Sequence, residues 1–152
     1  MWTTIFWATN AITLLGWALL LFAPRKPLTH SAVLYLGVAL LCLCYAAMFL
    51  GLFGGLVDPV RASGAVAPAS FEYSVAGIQA LFQTEGGIVL GWTHYLAFDL
   101  FVGTWIARDG DHKGFSRLWQ TPFLIATFLA GPIGLLAWLI VRERRARLSG
   151  RG

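Results

Sequence analysis

The chain has 152 residues, 58% hydrophobic and 12% charged, with a mean hydropathy of +0.71. A water-soluble domain of this size needs more polar surface, so the composition excludes an ordinary soluble enzyme and points to an integral membrane protein. The net charge of +4 is carried by short basic flanks, which anchor membrane helices to anionic headgroups more often than they bind nucleic acid, and no nucleic-acid partner is expected.

Runs nearly free of charge at about 2–23, 30–57, 86–107 and 119–141 each reach the roughly 20 residues that span hydrocarbon as a helix. They predict an all-α, polytopic protein: one domain over 1–152, four transmembrane helices, and a basic tail over 142–152. The first run lacks a basic n-region and a small-residue cleavage pattern, so it is expected to be retained as a helix. Pro24 and Pro27 close it, and Thr29 is the expected N-cap of the second helix. Cys42 and Cys44 lie two apart on different faces of that helix and read as packing residues. Gly51, Gly54 and Gly55 loosen its end.

Residues 58–70 read as a loop rich in small residues and proline. Ser70 is the expected cap of an amphipathic helix over about 71–85, where Phe71, Val75, Ile78 and Phe82 recur at helical spacing. Glu72 and Glu85 flank it and read as its solvated face. In the third apolar helix, Gly87 and Gly91 form a small-xxx-small pair that admits a close neighbour. In the fourth, Gly131 and Pro132 remove a backbone hydrogen bond and predict a kink. Basic residues flank both sides. Arg25, Lys26, Arg108, Lys113 and Arg117 stand on one, and four crossings would put the tail with Arg61 on the other, so charge alone leaves the orientation open.

The third run carries the chemistry. A helix over 88–107 places Asp99 within about 3 Å of its midpoint and His94 within about 6 Å. A mid-membrane Asp costs roughly 2.5–3.5 kcal/mol, so both residues are expected to face the bundle interior with partners. At about 100° per residue, Trp92, Tyr95, Asp99 and Ile106 share one stripe, and His94, Phe98, Phe101 and Trp105 another. Asp99 and Tyr95, one turn apart, are placed to interact. A dry interior disfavours charge on either group, which makes Asp99 a candidate neutral acid and His94 a candidate neutral base. The bland alternative is that each fixes helix register. Trp92, Phe98, Trp105 and Arg108 are candidate contacts for a rigid conjugated ligand. Asp109-Gly110-Asp111-His112 is too short and too cationic in its flanks to predict a metal site.

The stretch Gly91-Trp92-Thr93-His94-Tyr95-Leu96-Ala97-Phe98-Asp99-Leu100-Phe101-Val102-Gly103, followed by Trp105-Ile106, resembles the signature of the abscisic-acid-deficient-four-like family, which includes the plant neoxanthin synthases. Leu21-Phe22-Ala23-Pro24-Arg25 and Thr127-Phe128-Leu129-Ala130-Gly131-Pro132-Ile133-Gly134-Leu135-Leu136 fit the same family. The resemblance implies a small four-helix membrane protein and, in plant members, isomerisation of violaxanthin to neoxanthin by opening an epoxide and forming an allene. It implies no redox cofactor. The base and acid roles would fall to His94 and Asp99, assisted by Tyr95. Plant members carry Arg where this chain has Thr104 and commonly Phe where it has Ala130, so another carotenoid or isoprenoid is the expected ligand. A non-catalytic carotenoid-binding or assembly protein is the second reading, and a proton-coupled transporter, which would need a homo-oligomer to make its pathway, the third.

Overall fold

The computed structural model describes residues 1–61 and 72–149, with side chains through Glu143. The expected cap Ser70, residue Phe71 and most of the 58–70 loop lie outside the described residues. Among the described residues five helices run in chain order. The first, α1 (Trp2–Phe22), buries Trp2, Thr9, Thr13, Gly16, Trp17 and Leu20 along one stripe. The hydroxyls of Thr9 and Thr13 donate to carbonyls of the preceding turn, at 3.0 and 2.8 Å, so this face carries no unpaired polar group. Gly16 matters because a side chain there would strike Leu100, 2.7 Å from its Cβ position.

Pro27, not Thr29, opens α2 (Pro27–Phe53). Its missing N–H is one of the donors left free in any first turn, and its fixed φ suits the start. Thr29 instead bonds back to the carbonyl of Pro24 at 2.6 Å. Residues Val33–Ala39 of α2 are π-helical. The helix ends at Gly54, and Gly55 adopts φ +67°, a left-handed conformation that favours glycine.

The amphipathic element α3 (Val75–Phe82) is two turns, shorter than the expected 71–85. Ser74 caps it by accepting from Gly77 N at 3.1 Å, and Thr84 caps the next helix by accepting from Gly87 N at 2.9 Å. Two strong caps ten residues apart leave room for no more. The central helix α4 (Glu85–His112) has 28 residues and packs against all four others. Gly87 admits the backbone of Leu81, whereas Gly91 meets the ring of Phe82 rather than the backbone expected there.

The last helix, α5 (Arg117–Ser149), is broken at Ala130 (φ −157°, ψ 75°). The break is a reversal, not the kink expected at Gly131-Pro132. In a straight helix Phe123 and Trp138 would lie about 22 Å apart. Their ring centroids are 5.4 Å apart, and Trp138 also meets Phe115, before the helix begins, at 5.0 Å. Trp138 and Arg142 both bond Asp109 near the end of α4. The two arms of α5 therefore form a hairpin that enters and leaves at the same end of the bundle.

Among the described residues, three helices suffice by length and composition to cross a membrane: Trp2–Phe22, Pro27–Phe53 and Arg117–Glu143. The third is the hairpin. Thr93, His94, Tyr95 and Asp99 make α4 less apolar, and it lies innermost. Outside, large apolar side chains such as Leu15, Leu36, Leu43, Leu129 and Ile133 stand two-thirds exposed, the surface of a body solvated by lipid rather than water.

Candidate functional site

The two stripes of α4 expected from helical periodicity are both present, and they face different surroundings. On the first, Trp92 stacks on Tyr95 with centroids 5.4 Å apart, and its indole N–H donates to Asn10 Oδ1 at 3.2 Å. Tyr95 faces Asp99 and the backbone of Gly131. Asp99 is 8% exposed, and its Oδ2 has no hydrogen-bond partner among the described residues. The carboxyl lies against the tip of the α5 hairpin, where a Cβ on Gly131 would come within 2.8 Å of Asp99 Cγ. Gly131, expected only as part of a kink, instead lets the hairpin tip close onto a carboxylate. Pro132 follows the break, where its lack of an N–H costs no helical bond.

The second stripe faces outward. His94 is exposed, with its ring centroid 4.6 Å from Phe98 and 5.5 Å from Tyr45. Phe98 and Phe101 form one wall of an apolar groove of about 520 Å³, and Tyr35, Val38 and Cys42 of α2 form the other. Both groove-facing pairs of α2, Leu34-Tyr35 and Val38-Ala39, belong to its π-helical stretch. A π turn carries one residue more than an α turn and so presents adjacent residues to the same side. Trp105 continues this stripe and lies 5.3 Å beneath the guanidinium of Arg142.

His94 and Asp99 are therefore not brought together. The expectation that both face inward fails for His94, because the five-residue offset that buries Asp99 against α5 turns His94 toward α2 and the lipid. An acid and base meeting at one substrate atom must come from elsewhere, and Tyr95 is the group placed beside Asp99.

Arg108 lines the polar end of the molecule, and there a cluster absent from the sequence reading appears. Arg25 binds Asp111 at 2.8 Å and Gln120, Gln120 in turn donates to Asp111 and to the carbonyl of Phe115, each at 2.9 Å, and Arg117 reaches the carbonyl of Leu21. Asp109 accepts from Trp138 Nε1 at 3.0 Å and from Arg142 Nε and Nη2 at 2.7 and 2.8 Å. The two carboxylates of the Asp109–His112 segment are thus each held by an arginine. The only signal for them was a run of charges at a helix end, which does not name its partners.

An apolar exterior, a polar helix at the centre and a buried carboxyl against a broken helix define a helical bundle fit for a membrane. The chain belongs to the ABA DEFICIENT 4-like family, whose model matches residues 4–138. No match appears among curated proteins or solved structures.

Proposed function

We propose that this chain is a multipass membrane protein that binds a carotenoid-like polyene and isomerises it by proton transfer, without a redox cofactor. The observation that carries the reading is Asp99: a carboxyl oxygen buried at the tip of a re-entrant hairpin, with no partner among the described residues. Buried polar groups in a bilayer are otherwise satisfied, and an unsatisfied ionisable one marks a working site. Asp99 and Tyr95 supply the proton relay. One gives a proton to the departing epoxide oxygen while the C–O bond opens, and the other takes the vinylic proton, so the product has the mass of the substrate. The α2–α4 groove holds the chain of the polyene against Phe98 and Phe101, with His94 beside Phe98 as a contact rather than a base, and the end to be converted crosses α4 to lie against Trp92 and Tyr95 on the Asp99 stripe.

In this reading α1, α2 and α4 cross the bilayer and α5 dips in and returns. Non-helical backbone at membrane depth is tolerated where protein buries it, as Asp99 and α4 bury the tip. The reversal also moves Arg142 to the side of Arg25, Lys26, Arg108, Lys113 and Arg117, leaving Arg61 opposite. That asymmetry favours the basic side as cytoplasmic.

The separation of His94 from Asp99 favours a second reading, in which the groove binds pigment without converting it. Expression in bacterial hosts that make β-carotene, zeaxanthin or violaxanthin, with chromatography and mass spectrometry of the extracts, separates the two. A new peak of unchanged mass that disappears in Asp99→Asn and Tyr95→Phe, while His94→Ala retains partial turnover, supports catalysis. Copurified but unchanged pigment supports binding alone.

A further inference from the structure

Where α1 hands over to α2 and α4 ends, Arg25, His30, Arg108 and Asp111 line a cavity of about 340 Å³. Arg25 is its anomaly. The side chain is only 9% exposed, and Nη1 alone carries its bonds, to Asp111, to Gln120 and, at 3.5 Å, to the carbonyl of Ala107. Nε and Nη2 have no partner among the described residues. Those two nitrogens form the edge with which a guanidinium grips a phosphate or carboxylate through parallel hydrogen bonds. His30 Nδ1 is also buried without a partner among the described residues, and its Nε2 lies 3.7 Å from Asp111. Arg108, exposed at the rim, forms no ion pair among the described residues. Asp111 offsets Arg25 and leaves Arg108 uncompensated, so the cavity is cationic even with its histidines neutral.

A second feature indicates what carries the anion. Leu34 lines this cavity, the adjoining one bounded by Phe101, Trp105 and Arg108, and the apolar groove beyond. Polar cavity and apolar groove are thus one continuous surface, at the end of the bundle where Lys26 and Arg117 also stand. The geometry points to a site for the phosphate group of an anionic lipid, held by the free edge of Arg25 and by Arg108, with its apolar chain descending past Leu34. A bound phosphate supplies the acceptors that Arg25 lacks, and a soluble anion would leave uncovered the apolar wall of Leu34, Phe101 and Trp105 that joins the cavity to the groove. The site does not rest on the proton-transfer reading, since it uses neither Asp99 nor Tyr95.

The test is thermal unfolding of the purified full chain in dodecyl maltoside micelles, followed by tryptophan fluorescence as dioleoylphosphatidylglycerol, dioleoylglycerol or inorganic phosphate is titrated in. The expected result is a saturable upward shift with phosphatidylglycerol and none with dioleoylglycerol. The apparent affinity should fall roughly tenfold or more in Arg108→Gln and in Arg25→Lys. The lysine retains a cation for Asp111 and Gln120 but has no fork, and Arg108→Gln breaks no ion pair among the described residues, so one variant remains informative if the other misfolds. Lys26→Gln, exposed and outside the cavity, should stay within about twofold of the parent by ordinary surface screening. Equal shifts from dioleoylglycerol, or unchanged affinity in both arginine variants, overturn the site. Inorganic phosphate matching the lipid at equal concentration overturns the lipid as its occupant.

Discussion

Gly134→Ala distinguishes a re-entrant α5 from a straight one by the sign of its effect. In a straight helix the exchange stabilises by about 0.5–1 kcal/mol, because alanine loses less conformational freedom than glycine. In the hairpin, a Cβ on Gly134 would lie 2.6 Å from Cα of Thr127 on the opposite arm, where ordinary contact begins at 3.4 Å. The obstacle is backbone, so no side chain can swing away, and the arms must part by nearly 1 Å along their closest line. Overpacking of this kind costs roughly 1–3 kcal/mol, and more here if the displacement also loosens Thr127, which is fully buried. The assay is reversible unfolding in mixed micelles by titrated sodium dodecyl sulfate, with the seven tryptophans as the probe. A variant as stable as the parent, or more stable, would refute the close packing of the two arms.

Asp109→Asn should destabilise by about 1.5–3 kcal/mol, since a charged acceptor shared by Trp138 and Arg142 is lost. In a double-mutant cycle with Arg142→Gln the two losses should not add, and additivity would mean that the return arm is not anchored there. Cys42→Trp places a large ring in the α2–α4 groove from an exposed position, so copurified pigment, read as visible absorbance per protein, should drop severalfold while the unfolding midpoint holds. Cysteines introduced at Lys113 and at Glu143 should react with a membrane-impermeant maleimide from the same side in oriented vesicles. Labelling from opposite sides would restore a straight crossing for α5.

Much of this architecture was legible in residue spacing. The apolar runs gave the helices, and the 100° period separated the Trp92–Tyr95–Asp99 stripe from the His94–Phe98–Trp105 stripe before any neighbour was known. Of the small-residue pair, Gly87 is approached by backbone and Gly91 by a ring, whereas the close approach of Gly131 to Asp99 had no signal of its own. The reversal at Ala130 was not legible, because a kink and a hairpin share the local signal Gly131-Pro132. What decides between them is distant: Trp138 and Arg142 find Asp109 only if the chain turns back. The same holds for Arg25, whose place beside Lys26 gave no sign that its side chain packs inward against Asp111 and Gln120. Charge counting left the orientation open for the same reason, since the side on which Arg142 stands depends on every turn before it.

The π-helical stretch of α2 makes the groove sensitive to chain length in a way that substitution does not reproduce. Val33–Ala39 accommodates a surplus residue without disturbing its flanks, so Thr29 and His30 on one side and Cys42 and Tyr45 on the other keep their faces. Excising one residue from the stretch would let it close into an ordinary α-helix with both flanks still in phase, and the bundle would keep its contacts. Only the wall facing Phe98 and Phe101 would be redrawn, with one side chain fewer along it. Shortening by a single codon thus becomes a route to a different ligand profile on an unchanged scaffold.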